Sequence, residues 1–255
     1  MSKRLTWLDA LRGLTVISMI FYHGTWNAVY LYGTSLPWYA GLPGYLWQQS
    51  ICWTFILVAG FCARIGRHRL KRGLLISACG LLVTVVTTLY SPVTKILFGV
   101  LTFHGAAVLL SVPLEKPLKK IPPVIGLAAS ALLFFLTRNV GSGSWGFERL
   151  ALGRVPAAFY RNDLTAFLGF PGPGFYSADY FPIIPWIFLF LCGFFLYGLL
   201  QKKAGNEPIA SLPAIQRLET HSAPKALQFV GRHALIIYLL HQPILELFFT
   251  VISMG

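Results

Sequence analysis

Seven apolar runs, most of them bounded by basic residues, constrain this chain more than any other feature. They are Arg12–Tyr32, Leu46–Arg64, Arg72–Tyr90, Ile96–Leu114, Pro122–Arg138, Phe181–Leu200 and Gly231–Ile252. Each approaches the ~20 residues that a helix needs to cross a hydrocarbon core about 30 Å thick. Backbone in such a core must satisfy its own hydrogen bonds, and a helix does. Only 11% of the residues are charged while 56% are hydrophobic, against roughly 25% charged in a soluble domain. That remainder cannot build a water-facing surface, so soluble globular, disordered and coiled-coil classes are excluded. The expectation is an all-α, polytopic integral membrane bundle of about seven transmembrane helices, forming one domain over residues 1–255. Its first run is not read as a signal peptide, because Asp9 and Arg12 crowd its start and no small-residue cleavage site follows.

Basic residues set the orientation. With the N-terminus inside, sixteen Lys and Arg fall on the cytoplasmic side, beginning with Lys3, Arg4 and Arg12, and five fall outside. This is the bias expected of a cytoplasmic N-terminus. The net charge of +13 is therefore a bilayer signature rather than a nucleic-acid one. No base-stacking or groove-reading module accompanies it, and no nucleic-acid partner is expected. The four cysteines form no CxxC pair and lie within apolar runs, so neither a disulfide framework nor a metal site is expected. Residues 139–180 form a long external loop rich in Gly, Pro and aromatics, a candidate lid or substrate-facing segment. Residues 201–225 read as a polar cytoplasmic linker.

Ionisable groups inside a span are costly and are functional candidates by default. His23, His104 and His241 qualify. At 1.5 Å per helical residue they lie roughly 16, 18 and 14 Å from the nearest cytoplasmic basic residue of their own run, close to the midplane. Arg12-x10-His23 puts Arg12 and His23 on one helical face, and Asn27 continues that face a turn later, where it could hold the imidazole tautomer. His241 stands beside Gln242 and the kink-forming Pro243. A plain packing role stays open for all three histidines and is the preferred reading of His104. Thr6-Trp7-Leu8-Asp9 has the form of a capping box, and Asp9 can pair with Arg12 at i,i+3. Ser177 or Asp179 could cap the helix that starts near Phe181, with Pro182 in its first turn. Alternatively, Asp179 orients a substrate.

The most basic stretch is Arg64–Arg72, which includes Arg67 and Arg69. It reads either as positive-inside charge with anionic lipid contact or as a dock for a phosphorylated cytoplasmic ligand. No P-loop, GxGxxG, HExxH or GxSxG motif is present.

RLTWLDALRGLTVISMIFYH (residues 4–23) resembles the opening of the heparan-α-glucosaminide N-acetyltransferase catalytic-domain family. FGVLTFHG (98–105), LGFPGPGFYSADYFPIIPW (168–186) and GRHALIIYLLHQPI (231–244) resemble its fourth helix, its loop with sixth helix, and its closing helix. The Arg12–His23 spacing is also similar to that of the related membrane acyltransferases that O-acylate surface polysaccharides. The resemblance implies acetyl-CoA as a cytoplasmic donor, an embedded histidine matched here by His23, and an acceptor on the outer side. It also implies that Arg64, Arg67, Arg69 and Arg72 face the nucleotide phosphates.

The expected function is thus transfer of an acetyl or other acyl group to a glycan, a lipid-linked sugar or a small alcohol or amine. Expected partners are the lipid bilayer, acyl-CoA and that acceptor, with self-association left open. His23 would act as a general base or carry the acyl group covalently, with Arg12, Asn27, Asp179 and His241 around it. A proton-coupled transporter with relay histidines is the rival reading, and a catalytically silent envelope scaffold is a third.

Overall fold

The computed structural model describes residues 5–90, 94–220 and 224–254. Lys3 and Arg4, counted above on the cytoplasmic side, lie outside the described residues. In chain order the helices are α1 (Thr6–Trp26), α2 (Pro37–Ala40), α3 (Leu42–Ala63), α4 (Arg69–Tyr90) and α5 (Val100–Lys120). They continue with α6 (Pro123–Thr137), α7 (Ile183–Ala204), α8 (Pro213–Thr220), α9 (Lys225–Arg232) and α10 (Ala234–Met254). Among the described residues five segments are long and apolar enough to cross a membrane: Leu42–Ala63, Arg69–Tyr90, Pro123–Ser142, Ile183–Ala204 and Ala234–Ser253. The protein is an integral membrane protein built mostly of helix, with almost no sheet among the described residues. The other two expected runs are also helical, at 21 residues each in α1 and α5. Asp9 and Arg12 dilute the apolar character of α1, and Glu115 with three lysines dilutes that of α5. None of the four cysteines forms a disulfide.

The chain forms two compact units, one built on Met1–Phe55 and Lys203–Gly255 and the other on Ile56–Lys202. In the first, α1 and α9 meet through glycines. A Cβ on Gly13 would lie 2.0 Å from the Leu227 carbonyl oxygen, and one on Gly231 would lie 1.7 Å from that of Asp9. Only residues without a side chain allow two helices so close. Trp47 Nε1 donates to Ser18 Oγ at 2.8 Å and ties the start of α3 to α1.

The start of α1 departs from the capping-box expectation. Thr6 is already helical, and Leu5 occupies the N-cap without a side-chain bond. The cap comes from α8 instead: Glu219 accepts the Thr6 N–H at 2.8 Å and the Thr6 hydroxyl at 2.5 Å. A carboxylate there meets both the free N–H groups and the positive end of the helix dipole. Asp9 pairs with Arg12 at 3.3 Å, as the i,i+3 spacing implies. The expected polar linker holds helix α8 and the start of α9. The helix is interrupted at His233, so the last apolar run takes in only the end of α9 before it continues in α10.

In the second unit α4 and α5 close on small residues. Gly105 faces Ser77, Gly80 faces Thr102 and Gly73 faces Leu109. The later part of α3 meets α7 in the same way, with Gly60 against the Phe190 carbonyl and Gly193 against that of Leu57. The loop after α6 is ordered by its own bonds. Strand β1 (Ser144–Phe147) pairs antiparallel with β2 (Leu150–Arg154). The Tyr160 hydroxyl donates to the Val140 carbonyl and the Tyr180 hydroxyl to that of Ala166, each at 2.5 Å.

Candidate active site

His23 and His241 come together in the first unit, from α1 and α10, with ring centroids 4.9 Å apart. Tyr22 meets His23 edge-on at 5.7 Å and also packs on Tyr39 and Trp47 at 5.2 and 5.3 Å. The imidazoles are therefore flanked by an aromatic cluster. The His241 Nδ1 bonds the Tyr238 carbonyl. A carbonyl only accepts, so Nδ1 carries the hydrogen and Nε2 keeps its lone pair.

Past His23 the helix widens into a π-type turn over Asn27–Leu31, closed by the Tyr32 N–H donating to the Asn27 carbonyl at 3.1 Å. Such turns recur at functional sites because the extra residue re-aims a side chain. Asn27 is fully buried, at 0% exposure. Its Oδ1 accepts from Gln242 Nε2 at 2.9 Å. Asn27 Nδ2 and Gln242 Oε1 are buried without a hydrogen-bond partner. Three of the expected site residues, His23, Asn27 and His241, are thus gathered in one unit. Arg12 belongs to the same unit and is engaged with Asp9.

The remaining candidates belong to the second unit. His104 turns its Nδ1 onto the Val100 carbonyl one helical turn earlier, at 2.8 Å. In the basic segment, the Arg64 guanidinium lies over the rings of Phe194 and Tyr197, 4.9 and 5.4 Å from their centroids. Arg69 pairs with Glu115, which also holds Lys119 at 2.6 Å. Burial alone would raise the Glu115 carboxyl, but Lys119 and Arg69 outweigh it and hold it below the ordinary carboxylate range. Arg67 and Arg72 are exposed. Arg64 Nε and Arg69 Nη1 are buried without a hydrogen-bond partner.

Asp179 caps the start of α5 and Ser177 binds the segment just before it, so neither caps the helix that follows them in sequence. Asp179 Oδ2 accepts the Val100 N–H at 3.0 Å and Ser177 Oγ accepts that of Leu97 at 2.9 Å. The start of α7 has less need of a cap, since Pro182 and Pro185 carry no N–H. Burial pushes Asp179 up to about 6, with the Val100 N–H pulling the other way.

The family model described as "Heparan-alpha-glucosaminide N-acetyltransferase, catalytic" matches residues 4–243. The chain belongs to this family. No curated protein and no solved structure matches it. Membership in the heparan-alpha-glucosaminide N-acetyltransferase family makes the general activity acetyl transfer at a membrane and does not favour the transporter reading. Against that background the residues missed by sequence reasoning are Gln242, Tyr22 and Glu115. Gln242 carried a signal, as a second polar residue beside His241 in an apolar run. Tyr22 carried only its place next to His23. Glu115 looked like one more charge at a helix end, and nothing local tied it to Arg69.

Proposed function

We propose that this family member moves an acetyl group from cytoplasmic acetyl-CoA to an amine or hydroxyl on the outer side. The acceptor is a glycan, a lipid-linked sugar or a small alcohol or amine. In this reading residues 1–255 work as one transmembrane domain, with seven spans and a cytoplasmic N-terminus, in a bacterial inner membrane. The observation that carries it is the His23–His241 pair, two imidazoles from distant parts of the chain with ring centroids 4.9 Å apart in an apolar unit. Structural histidines have no need of such a pairing, whereas proton transfer between an entering nucleophile and a leaving group does.

Acetyl-CoA supplies an activated thioester. Its phosphates suit the basic segment, where Arg64 Nε and Arg69 Nη1 are buried donors without partners and Arg67 and Arg72 are open to solvent. Charge-assisted bonds to phosphate are the strongest use of such groups. His23 takes the acceptor's proton as the new C–N or C–O bond forms and the C–S bond breaks, and the proton passes on to the departing thiolate. His241, with its tautomer set by Tyr238, presents Nε2 as the partner base in that transfer. Arg12 provides positive charge on the approach along α1. Asp179, holding the external loop to α5, presents the segment that meets the acceptor.

The test is transfer of labelled acetyl from acetyl-CoA to membrane glycan, lipid and amine acceptors by purified protein. His23→Ala should lower turnover about 10²–10⁴-fold, the usual cost of a lost general base, while still binding CoA. His104→Ala should be milder, because His104 belongs to the second unit and its Nδ1 is bonded to the Val100 carbonyl of its own helix. Near-wild-type turnover in His23→Ala overturns the mechanism.

A further inference from the structure

A primary amide has one oxygen and two N–H groups to satisfy. In the Asn27–Gln242 pair a single bond, Gln242 Nε2 to Asn27 Oδ1, leaves Asn27 Nδ2 and Gln242 Oε1 buried and unpartnered. A pair kept only for packing would gain from apolar residues of the same shape, because buried polar groups without partners are destabilising. This pair stands one turn past His23 on α1 and directly after His241 on α10. Both helices depart from regular bonding at this level, α1 in the π-type turn and α10 at Pro243, which has no N–H to give the Leu239 carbonyl.

Acyl transfer needs more than a base. Negative charge grows on the acyl oxygen as the carbonyl carbon becomes tetrahedral, and a fixed N–H donor in a dry site is the strongest means of holding it. The imidazoles serve the proton, and a separate donor has to serve the oxygen. We infer that Asn27 Nδ2–H is that donor, accepting no proton and losing none, and that Gln242 is a positioning residue. By donating to Oδ1, Gln242 holds the Asn27 amide with its nitrogen toward the acyl group. This rests on the acyl-transfer reading above and adds to it the group that binds the reacting carbonyl.

Three variants of the full chain test it. Asn27→Asp keeps the oxygen that Gln242 needs and removes the donor. Gln242→Leu removes the support alone. Asn27→Leu/Gln242→Met replaces both partners by apolar groups of similar shape, a change that is close to neutral for folding. Asn27→Asp and the double variant should lose about 10²–10³-fold in kcat, the usual cost of one such donor, with KM for acetyl-CoA little changed. Gln242→Leu should lose less, again in kcat. The activity-independent readout is infrared difference spectroscopy of acetyl-CoA labelled with ¹³C at the thioester carbonyl. The carbonyl stretch should be lower on wild-type protein than on the double variant, with Gln242→Leu between. Wild-type turnover by a folded double variant, or the same carbonyl band on both proteins, overturns the inference while the acyl-transfer reading stands. Wild-type protein that neither binds nor uses acetyl-CoA overturns both.

Discussion

Replacing Gly231 by Ala adds one methyl group at the α1–α9 crossing, and its cost follows from the structure. The new Cβ would lie 1.7 Å from the Asp9 carbonyl oxygen, 2.7 Å from its carbon and 2.9 Å from the Gly13 nitrogen. Unstrained contacts between non-bonded carbons need about 3.5 Å, so the two helices must separate by roughly 2 Å. Overpacking costs about 1–3 kcal/mol where side chains can turn aside. Here every clashing atom is backbone, which puts the cost at about 3 kcal/mol or more. At roughly 2–4 °C per kcal/mol for a chain near this size, the Tm should fall by about 6–12 °C. Gly24→Ala is the control. Its Cβ would lie 3.6 Å from Leu245 Cδ2, an ordinary contact, and Ala favours a helix by up to about 1 kcal/mol over Gly. That variant should match or exceed the wild-type Tm. Thermal unfolding of purified protein, followed by tryptophan fluorescence, reads both. Activity gives a second measure, because α1 carries His23 and α9 leads into α10 with His241. Misplacing catalytic groups by about 1 Å can cost roughly 100-fold. Equal Tm and equal turnover for Gly231→Ala and Gly24→Ala would refute the packing argument and the link from crossing to site.

Three further outcomes are expected. In a background without the native cysteines, a cysteine at His68 should react with impermeant reagent from the cytoplasmic side and one at Trp145 from the outside. Reaction at 145 from the cytoplasmic side alone would overturn the seven-span topology. Arg67→Gln with Arg72→Gln should weaken CoA binding, more strongly at low salt because exposed charges are screened, whereas Glu115→Gln should not weaken it. Unchanged affinity in the double Arg variant would remove the phosphate role from this segment. Asp179 gives a pH signature, since its folded-state value of about 6 lies above the ordinary 3.8. The folded protein then binds the proton more tightly, so stability falls as pH rises from about 4 to about 6 and levels off above, by about 3 kcal/mol in all. Asp179→Asn can still accept the Val100 N–H and should abolish that slope; an identical slope in calorimetric scans would show that the carboxyl is not buried in its ionising form.

Membership of the acetyltransferase family, membrane insertion and the helical class were all legible along the chain, because each depends on residues close in sequence. A run of apolar residues of bilayer length is a helix wherever it lies, since no other local structure satisfies the backbone in lipid. The Asp9–Arg12 pair was legible for the same reason, both residues standing on one helical turn. The short hairpin at Ser144–Arg154 was not, because its strands lack a clear alternation and all five residues of β2 are exposed.

The candidate site was legible only as an inventory. Depth along a helix follows from counting residues, so His23, His104 and His241 could be assigned to similar levels, but counting does not say which helices are neighbours. Tertiary structure decided that His23 meets His241, and that His104 turns its Nδ1 onto the Val100 carbonyl of its own helix. It decided that Glu219, 213 residues from Thr6, caps α1 and that Asp179 caps α5 from 79 residues away. It also paired Asn27 with Gln242 across 215 residues. Sequence by itself determined that the chain enters a membrane through apolar helices and which polar residues its apolar runs carry, because transfer from water to lipid is a property of each segment alone. Which of those polar residues face one another depends on helix crossings such as Gly13 against Gly231, where the absence of two side chains sets how closely the backbones approach.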